Sequence, residues 1–190
     1  MGSGTRMNLA VASPTSQPHP GATPACTLFL GSVGPWAVAW DAAAVERLVL
    51  ACDAQLHPVS DRSAAPVGGL GTLQTAHGRY VAWSLGDRLL ISGEAHAWVL
   101  LRFPFQYPKR HMALAIHRWI GIAPVTPDRI QPLPTGLLPH LPRLLVGAVR
   151  GDDVRSLRTG DLPVVYRIDL ESLWGPAELA WSDSLLQRGT

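Results

Sequence analysis

The residues with the most chemical capacity in this chain are seven histidines, two cysteines and a scatter of acids, and their spacing keeps them apart. His19, His57, His77, His96, His111, His117 and His140 include no pair two or four residues apart, the spacings that aim two imidazoles at one metal. His111 and His117 fall on one face of an extended segment, and surface or half-buried structural roles are the plainer reading. Asp152-Asp153 lies in a turn-like stretch, where solvation accounts for it better than a metal does. Cys26 and Cys52 lack metal-type spacing and read as two reduced, partly buried thiols. GGLGTLQ has neither a Walker lysine nor a dinucleotide fingerprint, and no serine sits in a nucleophile elbow. No catalytic group, metal site or cofactor is expected.

One stretch does suggest a site. In GLGTLQTAHGRYVAWSLGDRLL, Gly69 to Leu90, two apolar runs flank a turn whose tip carries His77 beside Gly78. Glycine at that position can supply the positive φ that a tight β-hairpin needs. His77 is therefore the tip of a hairpin first, and any role as a site must be one of contact.

The elements that would position such a tip can be read along the chain. At 190 residues the protein can bury about 70% of its unfolded surface. Hydrophobic residues make up 47% and charged ones 16%, which suits a globular protein and excludes a mostly disordered one. The net charge is only +2, Lys109 is the single lysine, and Lys109-Arg110-His111 is the longest basic run, too thin for a nucleic-acid surface. No apolar run approaches the roughly 18 residues of a membrane span, and the start lacks a signal peptide, so a cytoplasmic protein without membrane insertion is expected.

Residues 1–25 are small, polar and proline-rich and read as a flexible leader, with 1–6 resembling a cloning remnant. From Thr27 the texture is short β-runs cut by glycine and proline. TLFLGS and WAVAW read as strands, and Asp41 can cap a single helical turn before VERLVLA. AWVLLRF and HMALAIHRWIGI are β-rich around the turn FQYPKR. Thr126-Pro127-Asp128 starts a further helical turn. LLVGAVR and LPVVYRID are strands joined by GDDVRSLRTGD, Asp169 caps a short helix, and PAELAWSDSLLQR is a terminal helix. PLPTGLLPHLPRL is too proline-rich for regular structure, and PHLP at Pro139 to Pro142 is read as a rigid loop and not as a PxxP ligand. Evenly spaced short strands argue for barrels or a sandwich. Of the seven tryptophans, Trp36, Trp40, Trp83 and Trp119 are expected inside barrels, and Trp181 is the candidate for a contact surface.

The order of these segments resembles the CheW-like family, the coupling proteins of bacterial chemosensory systems, from about Thr27 to Trp174. ALAIHRWIGIAPVTPDRIQPLP, LLVGAVR, VVYRIDLESLW and FLGSVGPWAVAWDAAAVERL carry the resemblance. It implies an all-β fold of two intertwined, SH3-like five-stranded β-barrel lobes with short helical turns and a C-terminal helix. The lobes would comprise about 26–92 plus the closing strand, and about 97–150, within a unit 26–174 followed by a helical tail, 175–190. It implies a non-enzymatic adaptor that joins chemoreceptors to the regulatory domain of a CheA-type histidine kinase, in chemotaxis or twitching motility. The family's signature turn, Gly-x-x-Asn-Leu-Arg-Gly, is altered here. Gly71 and Gly78 match, His77 replaces the arginine, Ala82 the later proline, and Leu85-Gly86 the Asp-Leu pair. Arg47 occupies a commonly acidic position. With Val45 and Leu48 beside Arg47, and Gly71, His77 and Gly78 on the turn, these six residues are the expected partner contact.

A dedicated, divergent partner is the expectation that follows. The alternative is a barrel repurposed for another protein target or a small nucleotide second messenger, with an enzyme the least supported class. Removing Met1 to Pro24 should leave stability unchanged within ~0.5 kcal/mol, because nothing there can supply a core-facing stripe. A lower melting temperature for the truncated protein would show that the leader packs against a barrel.

Overall fold

The computed structural model describes residues 25–102, 111–133, 144–154 and 163–187. The turn FQYPKR, the PHLP segment, His19 and His140 lie outside them. The chain forms β1 (Cys26–Val33), β2 (Trp36–Asp41), β3 (Val45–Leu50), β4 (Ala54–Pro58), β5 (Gly69–Thr75) and β6 (Gly78–Ser84). After a short helix, α1 (Leu85–Arg88), come β7 (Ala97–Leu101), β8 (Met112–Ile116), β9 (Arg118–Val125), β10 (Leu145–Arg150), β11 (Val164–Ile168) and a terminal helix, α2 (Pro176–Gln187).

The strands form two sheets, a five-stranded one in the order β10-β11-β2-β1-β9 and a six-stranded one in the order β3-β7-β8-β6-β5-β4. The fold is all-β, as expected, but the chain is not divided between the sheets at 92–97. β3 to β8 make the second sheet, and β1, β2 and β9 to β11 the first. The chain changes sheet at the 3-10 turn Ala42–Ala44, where Ala43 N–H donates to the Asp41 carboxylate at 2.8 Å. It returns at His117, so HMALAIHRWIGI is two strands in different sheets and not one.

The sixth strand of the second sheet comes from VERLVLACDAQLHP, which the 3-10 turn Ala51–Asp53 breaks into β3 and β4. These two are consecutive in the chain yet stand at opposite ends of the strand order, so the sheet curls round to meet itself. In the first sheet the continuation of β9 does the same work. Gln131 and Ala148 of β10 exchange backbone hydrogen bonds at 2.8 and 2.7 Å.

Apolar residues collect in three clusters: one inside each lobe and one between the lobes. Side chains alternate across a strand, so a strand lying between two clusters feeds both. β8 sends Met112, Leu114 and Ile116 to the inter-lobe cluster and Ala113 and Ala115 into the second lobe. β2 likewise sends Val38 and Trp40 between the lobes and Ala37 and Ala39 into the first lobe. That is why AWVLL and MALAI are apolar at every position and fully buried.

Trp40 and Trp83 are buried as expected, and Trp36 is half-buried against Tyr166, ring centroids 5.1 Å apart. Trp119 departs from expectation: it is 48% exposed, on the edge strand β9. Helical turns appear where expected at Pro127–Arg129 and Glu171–Leu173. Thr126 makes no side-chain cap, and the turn is closed by Ile130 N–H donating to the Pro127 carbonyl. α1 was not legible as helix: Ser84 ends β6 and caps it, accepting from Asp87 N–H at 3.0 Å.

Leu114 is fully buried and Leu50, on the outer edge of β3, is 54% exposed. Leu114→Ala should cost about 2–5 kcal/mol by urea unfolding and Leu50→Ala less than about 0.5 kcal/mol. Equal losses would contradict the placement of β8 between two clusters.

Candidate partner-binding surface

The hairpin tip is built by its own side chains. Thr75 and Gly78 pair at the end of β5 and β6, leaving Ala76 and His77 as the loop. The Thr75 hydroxyl, on a buried residue, donates to the Gly78 carbonyl at 3.1 Å and accepts from His77 N–H at 3.0 Å. Neither loop residue takes a positive φ; Gly78 does, at +130°, with open space around it. Conformation and not crowding therefore requires glycine at 78. His77 projects exposed beyond this frame. Gly71 is different: it is buried, with φ +135° and the His57 carbonyl of β4 packed against it. Its role is to let β4 approach.

β3 pairs with β7 and carries a bulge between Val45 and Arg47, which leaves Glu46 as the extra residue. Val45 and Leu48 are half-buried and pack against the inter-lobe cluster. Glu46 and Arg47 are both exposed, and both lie close enough to the buried Tyr80 to act on it. Burial raises the Tyr80 phenol above its ordinary range, the Glu46 carboxylate adds to that, and the Arg47 cation opposes it. The strand thus presents an acid and a base side by side, which moderates the simple charge reversal expected at position 47.

The six expected contact residues do not form one patch. Arg47 is level with Leu100 of β7, Ala113 of β8 and Ala82 of β6, and Ala82 stands five residues along the chain from His77. Of the six, Arg47 and His77 are exposed, Val45, Leu48 and Gly78 half-buried, and Gly71 buried.

A third feature was missed. β9 pairs with β1 and shifts register between Leu30 and Gly31. Trp119 lies opposite Gly31 and Ile122 opposite Phe29, so the bulge puts both on one face. Trp119 is 48% and Ile122 49% exposed. The three-residue spacing does not read as one strand face, so only the bulge reveals the pair.

Trp181, expected on a contact surface, is instead part of a clasp. It meets Trp83 edge-on with centroids 5.1 Å apart and leaves no room for a side chain at Gly69. The Arg88 guanidinium lies 5.8 Å from the Trp83 ring and pairs with Glu178 of α2 at 3.0 Å. Ser182, fully buried, donates to the Glu178 carbonyl at 2.8 Å. Through Gln187 the segment expected as a separate tail is thus integrated with the core. Burial alone would raise Glu178, but hydrogen bonds from its own backbone N–H, from Arg88 and from Gly175 outweigh it and hold the carboxyl below its ordinary 4.5.

Chemistry is sparse among the described residues. No group of three or more His, Cys, Asp or Glu is placed to hold a metal, and both cysteines are free thiols. His111 meets Tyr80 edge-on, and His117 bonds to the β1–β2 turn, so the two do not act together. No described helix is long and apolar enough to cross a membrane.

No family model matches the chain, and no curated protein matches it by sequence. Among solved structures it is similar to the scaffolding protein TtCheW from Thermoanaerobacter tengcongensis, with a TM-score of 0.60 at 15% identity over 82% of this chain and 95% of that one. The chain has a CheW-like fold. At that identity the likeness fixes the architecture and leaves the surface to be read from this chain's own residues. The exposed features, Glu46-Arg47, His77 and Trp119-Ile122, are therefore decorations on a CheW-like frame.

The clasp predicts an acid dependence. Glu178 titrates below its ordinary value in the folded chain, so its contribution is complete above about pH 4.5 and is lost as pH falls through the folded value. Glu178→Gln should lose about 1–3 kcal/mol at neutral pH, and the gap from wild type should close in acid. A gap that stays constant with pH would show that the carboxylate's charge plays no part.

Proposed function

We propose that the protein is a non-enzymatic, cytoplasmic adaptor of a bacterial chemosensory or twitching-motility pathway, joining a receptor to the regulatory domain of a CheA-type histidine kinase or to a dedicated counterpart of it. The observation that carries this reading is the pair Trp119 and Ile122, held about half exposed on an edge strand of a CheW-like fold. Large apolar groups on a strand edge are what a partner strand or barrel can cover, with backbone pairing supplying affinity and the side chains specificity. Glu46, Arg47 and His77 form a polar set on the other lobe, suited to partner choice more than to affinity. For a nucleotide-binding barrel, Trp40 and Trp83 are buried and closed to stacking, and the exposed Trp119 lies beside the apolar Ile122, a pairing that suits a protein surface better.

His77 offers an imidazole in place of a guanidinium's bidentate fork of donors, so exchange with a standard coupling protein should be poor. A partner with an acidic or apolar patch opposite Arg47 fits better. Calorimetric titration against the regulatory domain of a CheA-type histidine kinase from the same organism tests this with Arg47→Glu and Trp119→Ala. The Arg47 variant should bind at least about tenfold more weakly. The Trp119 variant should lose about 2 kcal/mol or more. Affinities equal to wild type in both, with the fold intact, would remove these surfaces from the contact and the adaptor reading with them.

A further inference from the structure

The return crossing between the sheets is a single residue, His117, and its ring is tied down on two sides. Its backbone N–H donates to the Ser32 carbonyl at 2.9 Å, and Gly34 N–H, in the β1–β2 turn, donates to the His117 ring Nδ1 at 2.6 Å. On the other side the ring packs so closely on Gly93 that a side chain there would overlap it, and Gly86 of α1 is also adjacent. The imidazole thus sits between a turn of the first lobe and the 86–93 segment of the second. A backbone N–H can only donate, so Nδ1 must be unprotonated and the ring proton must be on Nε2. Protonation would set N–H against N–H.

We propose that His117 is an acid-released latch, holding the β1–β2 turn to the inter-lobe crossover when neutral and freeing it when protonated. Imidazole is the side chain whose charge ordinarily changes between pH 5 and 8. The turn Val33–Pro35 brings no titratable group to the ring. The 86–96 segment carries Asp87, Arg88, Glu94 and His96; Arg88 is engaged with Glu178, and the other three are exposed. On its own strand the neighbour is Arg118, also exposed. The His96 backbone N–H donates to the Ile116 carbonyl at 3.1 Å, which sets this residue close to His117. The latch depends on no assumption about partners.

Nuclear magnetic resonance on the full chain tests it by following the Gly34 amide from pH 7.5 to 5.5. Gly69 N–H, which donates to the Pro66 carbonyl at 2.8 Å, serves as reference. Gly34 exchange protection, relative to Gly69, should fall about tenfold across this range in wild type. It should hold within about twofold in His117→Asn, whose side-chain oxygen can accept in place of Nδ1 and does not titrate. A constant ratio in wild type, or the same fall in the asparagine variant, overturns the latch. Should that variant not fold, the wild-type Nδ1 nitrogen resonance decides: it must titrate with the same midpoint as the Gly34 amide, and distinct midpoints sink the proposal.

Discussion

The strands at the centre of both sheets have to bury both of their faces at once, and the rest of the structure follows from that demand. Each such strand serves a lobe interior with one set of side chains and the inter-lobe layer with the other. The two sets differ in size. Inside the lobes β2 and β8 place alanines, at positions 37, 39, 113 and 115, while toward the other lobe they place Val38, Trp40, Met112, Leu114 and Ile116. The small interior residues of these two strands leave room for bulk from their neighbours, Leu28 and Leu30 of β1 and Tyr80, Trp98 and Leu100 of β6 and β7, and two lobes whose outer faces are bulky and apolar must cover one another. The intertwining of the chain is the covalent expression of this: it leaves the first sheet at Asp41 and returns at His117, so all the strands of the second sheet are inserted between β2 and β9 of the first.

Where that layer runs out, α2 extends it. Trp83 is fully buried and meets Trp174 and Trp181 edge-on, the last from the helix itself. The Arg88–Glu178 pair lies over this aromatic group with side chains only 16% and 19% exposed. Such a pair gains strength from its shelter only because hydrogen bonds satisfy both ends, and here Gly175 N–H also donates to Glu178, at 3.0 Å. The helix is short, and it is held by Leu179, Trp181, Leu185 and Leu186 packed on the inter-lobe layer, with this polar contact set into that apolar surface.

The surface features share a cause. Glu46 is pushed out by a bulge in β3, and Trp119 is brought level with Ile122 by a bulge in β9. Both bulges lie on strands at the end of a sheet's order, where a local break in pairing disturbs fewest neighbours. A frame whose centre tolerates no change can thus vary its edges, and those edges are where this chain presents its charged and aromatic groups.

Much of this was legible in the residues. Continuous apolar runs, glycine and proline punctuation, the Asp41 cap and the positive φ at Gly78 are local properties, set by side-chain alternation and backbone sterics within a few residues. The all-β class and the tip role of His77 follow from them. Tertiary structure alone decided the rest. HMALAIHRWIGI reads as one strand because its two halves are equally β-prone, and only packing shows that His117 hands the chain to the other sheet. Trp119 and Trp181 are chemically alike, yet one stands on an open edge and the other is clasped against Trp83. Position 71 reads as part of the same turn as 78, but the His57 carbonyl that demands glycine there comes from another strand. These outcomes depend on register and on which surfaces meet across the fold, and such long-range contacts leave no periodic trace in the order of the residues.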